Sequence, residues 1–224
     1  MKVKQMLLVV VMLMGITAFA QESAEKLYEK GKELYYDSEN DGDETKLRTA
    51  VKYIEQAAKQ GNADAQILLG DFYLSGIYFE ENPKQSVELF KMAVEQNHPD
   101  GYYSLGCCYE FGLGVEKSEE KMLQLFNVAA EKGSYIAQKR LGEFYELGFY
   151  VDKNIEKAIE WYEKAAQQGD YWDKYILGVK YEENESLSNH MENAVKWYRK
   201  SAEQGFEHAV EALERLGEDV SSYR

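Results

Sequence analysis

The 224-residue sequence predicts an all-α protein, an α/α solenoid of five helix pairs with a C-terminal capping helix. Three observations carry this prediction: a period of 36 residues, helical spacing of apolar residues within each period, and helix-ending residues between the periods. The period is clearest in the dipeptide Leu-Gly, which recurs at 69–70, 105–106, 141–142 and 177–178. A tyrosine keeps the same step at Tyr73, Tyr109, Tyr145 and Tyr181.

The first twenty residues are expected to be a cleaved signal peptide. Two lysines precede an apolar stretch from Met6 to Met14, and Ala18-Phe19-Ala20 has the small-x-small pattern of a signal-peptidase site. A membrane anchor is the alternative, but the 15 residues from Met6 to Ala20 fall short of the ~20 that a spanning helix needs. The chain from Gln21 onward has 24 basic and 40 acidic residues, and therefore a net charge of −16.

Residues 21–61 are expected to form an irregular first repeat. Ala24 matches Ala63 at a spacing of 39 residues instead of 36. We therefore expect the acidic stretch from Asp37 to Glu44 to form a longer loop between the two helices of this repeat.

Residues 62–205 are expected to form four regular repeats, each with a helix A followed by a helix B. In one of them Ala137, Leu141 and Tyr145 recur every four residues and therefore share one helix face. Residues that cap helix N-termini precede the predicted helices, at Asn62, Ser134 and Asp170 for helix A and at Asn82, Ser118 and Asn154 for helix B. Residues that tolerate a left-handed backbone end helix A, at Gly76, Gly112, Gly148 and Asn184.

Two further features indicate how such repeats stack and end. Gly70, Gly106 and Gly142 lie inside helix A and lack a side chain, so helix A can approach helix B closely at these positions. Residues 206–224 are expected to be the capping helix and a tail, because Ala209 continues the repeat pattern and acidic residues follow it. A polar last helix closes the apolar end of a solenoid.

The repeats resemble the Sel1-like repeat family. The match is Ala137-x-x-x-Leu141-Gly142-x-x-Tyr145-x-x-Gly148, then Lys157-Ala158-x-x-Trp161-Tyr162-x-x-Ala165-Ala166-x-x-Gly169. The resemblance covers residues 24–213, and the alternative, a tetratricopeptide array, has a period of about 34 residues. The resemblance implies a right-handed α-solenoid that binds proteins as an adaptor or regulator, and it leaves the partner open.

Residue types that could carry chemistry have structural explanations in this sequence. Ser-x-x-Lys occurs at 23–26 and 118–121, but it lacks a Lys-Thr-Gly partner. Cys108 is expected to be a small core residue and Cys107 to be exposed, with redox chemistry as the alternative. The three histidines lie far apart, so no metal site is expected. We predict no catalytic residue and no cofactor. An enzyme acting on cell-wall or β-lactam compounds is the alternative, since β-lactam binding is linked to cysteine-rich relatives in that family.

Charge and hydropathy limit the class of partner. The net charge of −14 opposes binding to the phosphate backbone of nucleic acids. No second long apolar run follows the first, so no membrane insertion is expected after signal cleavage. The leading hypothesis is therefore an exported bacterial protein-interaction module, periplasmic or secreted. A structural spacer without a dedicated partner is a further alternative.

The binding surface is assigned by analogy with tetratricopeptide arrays, in which helix A lines the inner, concave face. The inward positions predicted to bind a protein or peptide are Ile67, Asp71, Leu74, Tyr103, Cys107, Phe111, Lys139, Glu143, Glu146, Trp172, Tyr175 and Val179. Exposed aromatic residues with scattered carboxylates suit a groove for a protein segment, and the carboxylates favour a basic partner. The alternative for the same aromatic residues is packing between repeats.

Overall fold

The computed structural model describes residues 22–76 and 78–224, which form eleven α-helices, a 3₁₀ helix at Ser221–Tyr223 and no strand. The helices are α1 Ala24–Asp41, α2 Glu44–Lys59, α3 Ala63–Ser75, α4 Pro83–Glu95, α5 Pro99–Phe111, α6 Glu119–Glu131, α7 Tyr135–Leu147, α8 Ile155–Gln168, α9 Tyr171–Glu183, α10 His190–Ala202 and α11 Glu207–Arg215. The predicted signal peptide, residues 1–20, lies outside the described residues. None of these helices is both long and apolar enough to cross a membrane.

The helices pair in chain order, which confirms the predicted all-α solenoid of helix pairs. Each odd-numbered helix from α1 to α9 packs against the helix that follows it, and we call the odd-numbered helices the A helices and the even-numbered ones the B helices. The chain divides into two compact units, one up to Gln96 and one from Asn97. The first unit holds α1 to α4, and the second holds α5 to α11.

Each unit has its own apolar core. In the first unit Leu27, Ile54 and Phe72 are buried in one cluster. In the second unit one cluster forms around Phe126 and Phe144, and another holds the C-terminal repeats. The predicted capping helix is α11, whose Ala209 and Leu213 are completely buried against the last helix pair, α9 and α10.

The predicted N-caps are confirmed. Each side chain accepts a hydrogen bond from a backbone N–H two or three residues further on, at Asn62, Asn82, Ser118, Ser134, Asn154 and Asp170. Gly76, Gly112 and Gly148 end their A helices in the left-handed region, with φ of 64°, 73° and 76°. These caps satisfy backbone groups that a helix end leaves without an intrahelical partner.

The prediction of a loop at Asp37–Glu44 is wrong. Helix α1 continues to Asp41, Gly42 ends it in the left-handed region, and Asp43 caps α2 directly. The additional residues of the first repeat therefore lengthen a helix. The physical reason is that no proline, and after Gly31 no glycine, interrupts the helix before Gly42.

The prediction that Asn184 ends α9 in the left-handed region is also wrong. Its φ is −114°, and the left-handed residue of this connection is Asn189, with φ 54°, directly before α10. In this repeat Leu187 is buried within the connection. The loop therefore turns around a buried side chain and not at the end of helix A.

Close approach of helix A to helix B at glycine is confirmed. An added Cβ would lie 2.4 to 2.6 Å from an aromatic ring atom of helix B, at Gly70 against Phe90, at Gly106 against Phe126 and at Gly142 against Tyr162. Real Cβ atoms do not come this close to a ring. The glycine and the facing ring therefore form one packing unit that recurs with the period of the sequence.

Candidate functional site

A cleft of about 330 Å³ opens on the second unit, with residues of α7, α8 and α9 around it. Four of the predicted binding residues line it, namely Lys139, Glu143, Glu146 and Trp172. The three on α7 recur at helical spacing, which places them on one helix face. Two consecutive A helices therefore bring sequence-distant predicted residues to one site.

Trp172 supplies a large exposed ring at this cleft, since 49% of its surface remains accessible. Its ring centroid lies 5.9 Å from that of Tyr175 and 5.5 Å from that of Phe206, the latter in an edge-on arrangement. Contacts of this kind hold an aromatic ring in a defined orientation. Trp172 is therefore a fixed apolar platform beside charged groups.

A hydrogen-bonded group of three side chains joins α7 to α9 next to Trp172. The Lys139 ammonium lies 2.8 Å from Asp173 Oδ1, and it donates to the Tyr135 hydroxyl at 3.0 Å. Tyr135 in turn donates to Asp173 Oδ2 at 2.5 Å. Lys139, one of the predicted binding residues, therefore also holds two successive repeats together.

Glu146 is the second charged group that links the same two helices. Lys180 of α9 donates to both of its carboxylate oxygens, at 2.8 and 2.9 Å, and the Tyr162 hydroxyl of α8 donates at 2.7 Å. Burial acts to raise the pKa of Glu146, but these hydrogen bonds outweigh it and lower the pKa below its usual value. Glu146 therefore remains ionised in the cleft at neutral pH.

The same position carries a glutamate in three successive A helices, at Glu110, Glu146 and Glu182. Each accepts hydrogen bonds from a cation on the next A helix, at Arg140, Lys180 and Arg215 respectively. The glutamates follow the 36-residue period, whereas the cations come from unequal positions within their repeats. We call these three pairs the glutamate ladder.

The last pair of the glutamate ladder predicts a pH-dependent contribution to stability. Arg215 holds Glu182 through two hydrogen bonds, of 2.6 and 2.8 Å, and these lower the pKa of Glu182 against the effect of burial. We expect Arg215→Gln to lower the free energy of unfolding at pH 7 by about 1 kcal/mol, since one partner is largely exposed.

The sign of the pH dependence follows from the lowered pKa. Ionised Glu182 stabilises the fold at pH values above 4.5, the usual pKa of its carboxyl group. This stabilisation disappears as the pH falls below 4.5 and through the lower pKa of the folded state. Urea unfolding should show a larger difference between wild type and Arg215→Gln at pH 7 than at pH 3. Lys117→Gln is the control, because its 3.8 Å pair with Glu119 is exposed; an equal loss in both variants would contradict the assignment.

The remaining predicted binding residues of the second unit differ in exposure. Tyr103 and Cys107 pack against the cluster around Phe126, where the rings of Tyr103 and Phe126 stack at 5.0 Å. Tyr175 and Val179 pack against the C-terminal cluster. Phe111 is 64% exposed at the end of α5. Tyr103 and Tyr175 therefore pack between helices, the alternative for these aromatic residues, whereas Phe111 is exposed.

The three predicted positions of the first unit lie on α3. Asp71 is exposed, whereas Ile67 and Leu74 are half-buried. The expected exposure of Cys107 is only partial, since its side chain is half-buried, while Cys108 is completely buried as expected. The two cysteines are not joined by a disulfide.

Both Ser-x-x-Lys sequences are helix starts. The Ser23 hydroxyl accepts a hydrogen bond from the Lys26 backbone N–H at 3.3 Å, and the Ser118 hydroxyl accepts one from Lys121 N–H at the same distance. A capping hydroxyl at this position explains the spacing of the two residues, because the cap bonds the N–H three residues further on. The motif therefore has a local structural role at both places.

Sequence reasoning missed Asp173, Tyr162 and Lys180 as members of the site. The 36-residue recurrence of glutamate could have indicated the glutamate ladder, since one residue type keeps one position in three repeats. The cations do not recur in step, so only the packing of neighbouring A helices shows which of them reach the glutamates.

Comparison with known proteins supports the same repeat structure. The sequence matches the Sel1 repeat family at residues 24–62, 63–98, 99–134, 136–170 and 187–206. A search of curated protein sequences gives no match.

Three solved structures illustrate the likeness. A Sel1 repeat protein from Oxalobacter formigenes is 32% identical, with 75% of this chain and 49% of that chain covered and a TM-score of 0.63. The protein c5321, a protective antigen present in uropathogenic Escherichia coli strains and displaying an SLR fold, is 31% identical, with 86% of this chain and 41% of that chain covered and a TM-score of 0.57.

The third structure is the immunity protein Pa5087 from Pseudomonas aeruginosa, which is 22% identical, with 84% of this chain and 68% of that chain covered and a TM-score of 0.55. At that identity it shows the fold alone. The present chain spans less than half the length of the first two proteins. Since the family matches extend over most of its length, the chain belongs to the Sel1 repeat family.

Proposed function

We propose that the protein is an exported, non-enzymatic interaction module that binds a protein segment on its A-helix face. The observation that carries the proposal is the cleft between α7 and α9, where an exposed tryptophan stands beside ionised side chains. Aromatic anchors of this kind dominate the binding energy of protein interfaces. Sel1 repeats are commonly protein-interaction modules, and the signal-like N-terminal sequence supports export to the periplasm or the medium.

Rigidity of the cleft supports the same proposal. Lys139 and Lys180 cross from one A helix to the next through ion pairs, and Trp172 is held by neighbouring rings. A surface that is already ordered before binding loses less conformational entropy when the partner docks. The cleft is therefore suited to recognition, with its side chains already in place.

Site-specific photo-crosslinking in the native host tests the proposal. A photoreactive benzoylphenylalanine replaces Trp172 in one strain and Glu160, an exposed residue of α8, in a control strain. We expect a discrete crosslinked partner from position 172 and none from position 160. Mass spectrometry of the same product should show a chain that begins at Gln21.

Two results would contradict the proposal. Equal crosslinking of the same partner from both positions would remove the A-helix face as the binding surface. A product that retains residues 1–20 would remove the export assignment. Tyr103 is unsuitable for this experiment, because its ring stacks on the completely buried Phe126.

A further inference from the structure

We propose that the cleft between α7 and α9 binds an arginine side chain from a basic segment of a partner protein. The guanidinium would stack on Trp172 and pair with Glu143. The inference rests on the proposed function, since it names the chemistry of the segment that the A-helix face binds.

The first argument is the state of the cations already at the cleft. Lys139 is paired with Asp173 at 2.8 Å, and Lys180 is paired with Glu146 at 2.8 Å. Lys180 also lies over the Tyr162 ring, 4.7 Å from its centroid. Each lysine is thus balanced by its own carboxylate and does not repel an incoming cation as an isolated charge would.

The second argument is that Glu143 has only a shared cation. Arg140 donates to Glu143 at 3.2 Å, but it also donates at 3.0 Å to Glu110, whose side chain is 5% exposed. Within the hydrogen-bonded group, three cations therefore face four carboxylates, and Lys153 also acts on Glu146 through its charge. The excess negative charge falls on Glu143, whose side chain is 44% exposed and lines the cleft.

The third argument is the exposed ring of Trp172 in the same cleft. Tryptophan attracts cations over its face more strongly than other aromatic residues, and arginine makes this contact more often than lysine. The chain itself shows the contact at its two other tryptophans, where Lys164 lies 3.9 Å from the Trp161 centroid and Lys200 lies 4.1 Å from that of Trp197. Trp172 offers an exposed face of the same kind to a cation of another protein.

Arginine fits this combination better than lysine. Its planar guanidinium can stack on an indole and at the same time donate two hydrogen bonds to one carboxylate. An acidic segment would instead meet the excess negative charge of the group. The net charge of −16 of the chain from Gln21 onward adds long-range attraction for a basic segment.

A random 12-residue peptide library displayed on phage provides the test. Selection on the protein should enrich peptides that contain arginine, and a fluorescent synthetic copy gives the dissociation constant by anisotropy. We expect replacement of the arginine by glutamine to weaken binding about tenfold, and Trp172→Ala and Glu143→Gln to weaken it about fivefold each. Glu160→Gln on α8 should leave it unchanged.

The outcomes separate this inference from the proposed function. Peptides that lose affinity with Trp172→Ala but contain no preferred basic residue would overturn the inference and leave an A-helix binding face. Enrichment of acidic peptides would also overturn the inference and leave the A-helix binding face. Basic peptides that bind the Trp172→Ala and Glu143→Gln variants as tightly as wild type would overturn the arginine site. Failure to enrich any peptide would count against both proposals.

Discussion

Replacing Gly106 with alanine is expected to lower the free energy of unfolding by about 2 kcal/mol. The new Cβ would lie 2.5 Å from Cε1 of Phe126, a ring that is completely buried. Tyr103 stacks on this ring at 5.0 Å and Phe144 lies 6.0 Å away, so the ring cannot move aside without disturbing the core. Urea unfolding of the two proteins measures the difference.

Whether Gly106→Ala raises or lowers the free energy of unfolding decides between close and loose helix packing. Alanine is a better helix former than glycine by about 1 kcal/mol, so a helix without close contacts would be stabilised by the same change. Gly142→Ala is the matched comparison and should also be destabilising, because its added Cβ would displace Tyr162 and disturb the 2.7 Å hydrogen bond from that ring to Glu146. A neutral or stabilising effect of Gly106→Ala would show that helix A and helix B do not approach as closely as described.

Partial rescue would identify the ring as the cause. In the double variant Gly106→Ala with Phe126→Leu, the shorter side chain leaves room for the added methyl group. The two losses should therefore sum to more than the loss in the double variant, since residues in contact do not act independently. Strict additivity of the two losses would point to a cause other than the contact of Gly106 with Phe126.

The fold was predictable because its determinants are local and repeated. Asn62 and Ser118 act as helix caps through backbone N–H groups three residues away, and Gly112 ends α5 because of its own backbone conformation. Such causes are visible in a few neighbouring residues. The loop predicted at Asp37–Glu44 has no such local signal. It is inferred from extra length, and extra length alone does not determine whether residues extend a helix or a loop.

The candidate site was predictable only in part. Lys139, Glu143, Glu146 and Trp172 follow from helical spacing on the A helices, and all four line one cleft. Whether an aromatic residue at such a position is exposed depends on which ring of the next helix reaches it. Trp172 remains accessible, whereas Tyr103, in an earlier A helix, is covered by packing against Phe126. Those contacts depend on the distance and angle between helices, which the spacing of residues along one helix does not contain.

Replacing Arg140 with methionine is expected to lower the free energy of unfolding by about 3 kcal/mol, the largest effect among the ion pairs discussed. The change leaves the Glu110 carboxylate, 5% exposed, without the guanidinium that lies 3.0 Å from it. Methionine retains an apolar stem beside Phe144, whose ring centroid is 5.1 Å from the guanidinium carbon. The decrease in the free energy of unfolding therefore comes more from removal of the Arg140 charge than from lost packing.

Two companion variants distinguish a buried charge from a general loss of contacts. Glu143→Gln removes only the exposed partner of Arg140, so we expect a loss of at most about 1 kcal/mol. Glu110→Met with Arg140→Met removes both charges, and the double variant should be more stable than Arg140→Met alone, because no carboxylate is left buried without a cation. If the double variant were the less stable of the two, the pair itself would be the source of stability and the buried-charge argument would fail.

The double variant Glu110→Met with Arg140→Met also tests binding at the cleft. Arg140 divides its hydrogen bonds between buried Glu110 and exposed Glu143, so its removal changes the charge around Glu143. In the double variant Glu143 keeps its charge and loses its shared cation, which should strengthen its attraction for an arginine of the partner. A basic peptide that depends on Glu143 should therefore bind this double variant at least as tightly as wild type, even though the variant lacks one pair of the glutamate ladder. Weaker binding would mean that the orientation of Glu143 by Arg140 matters more than its excess charge.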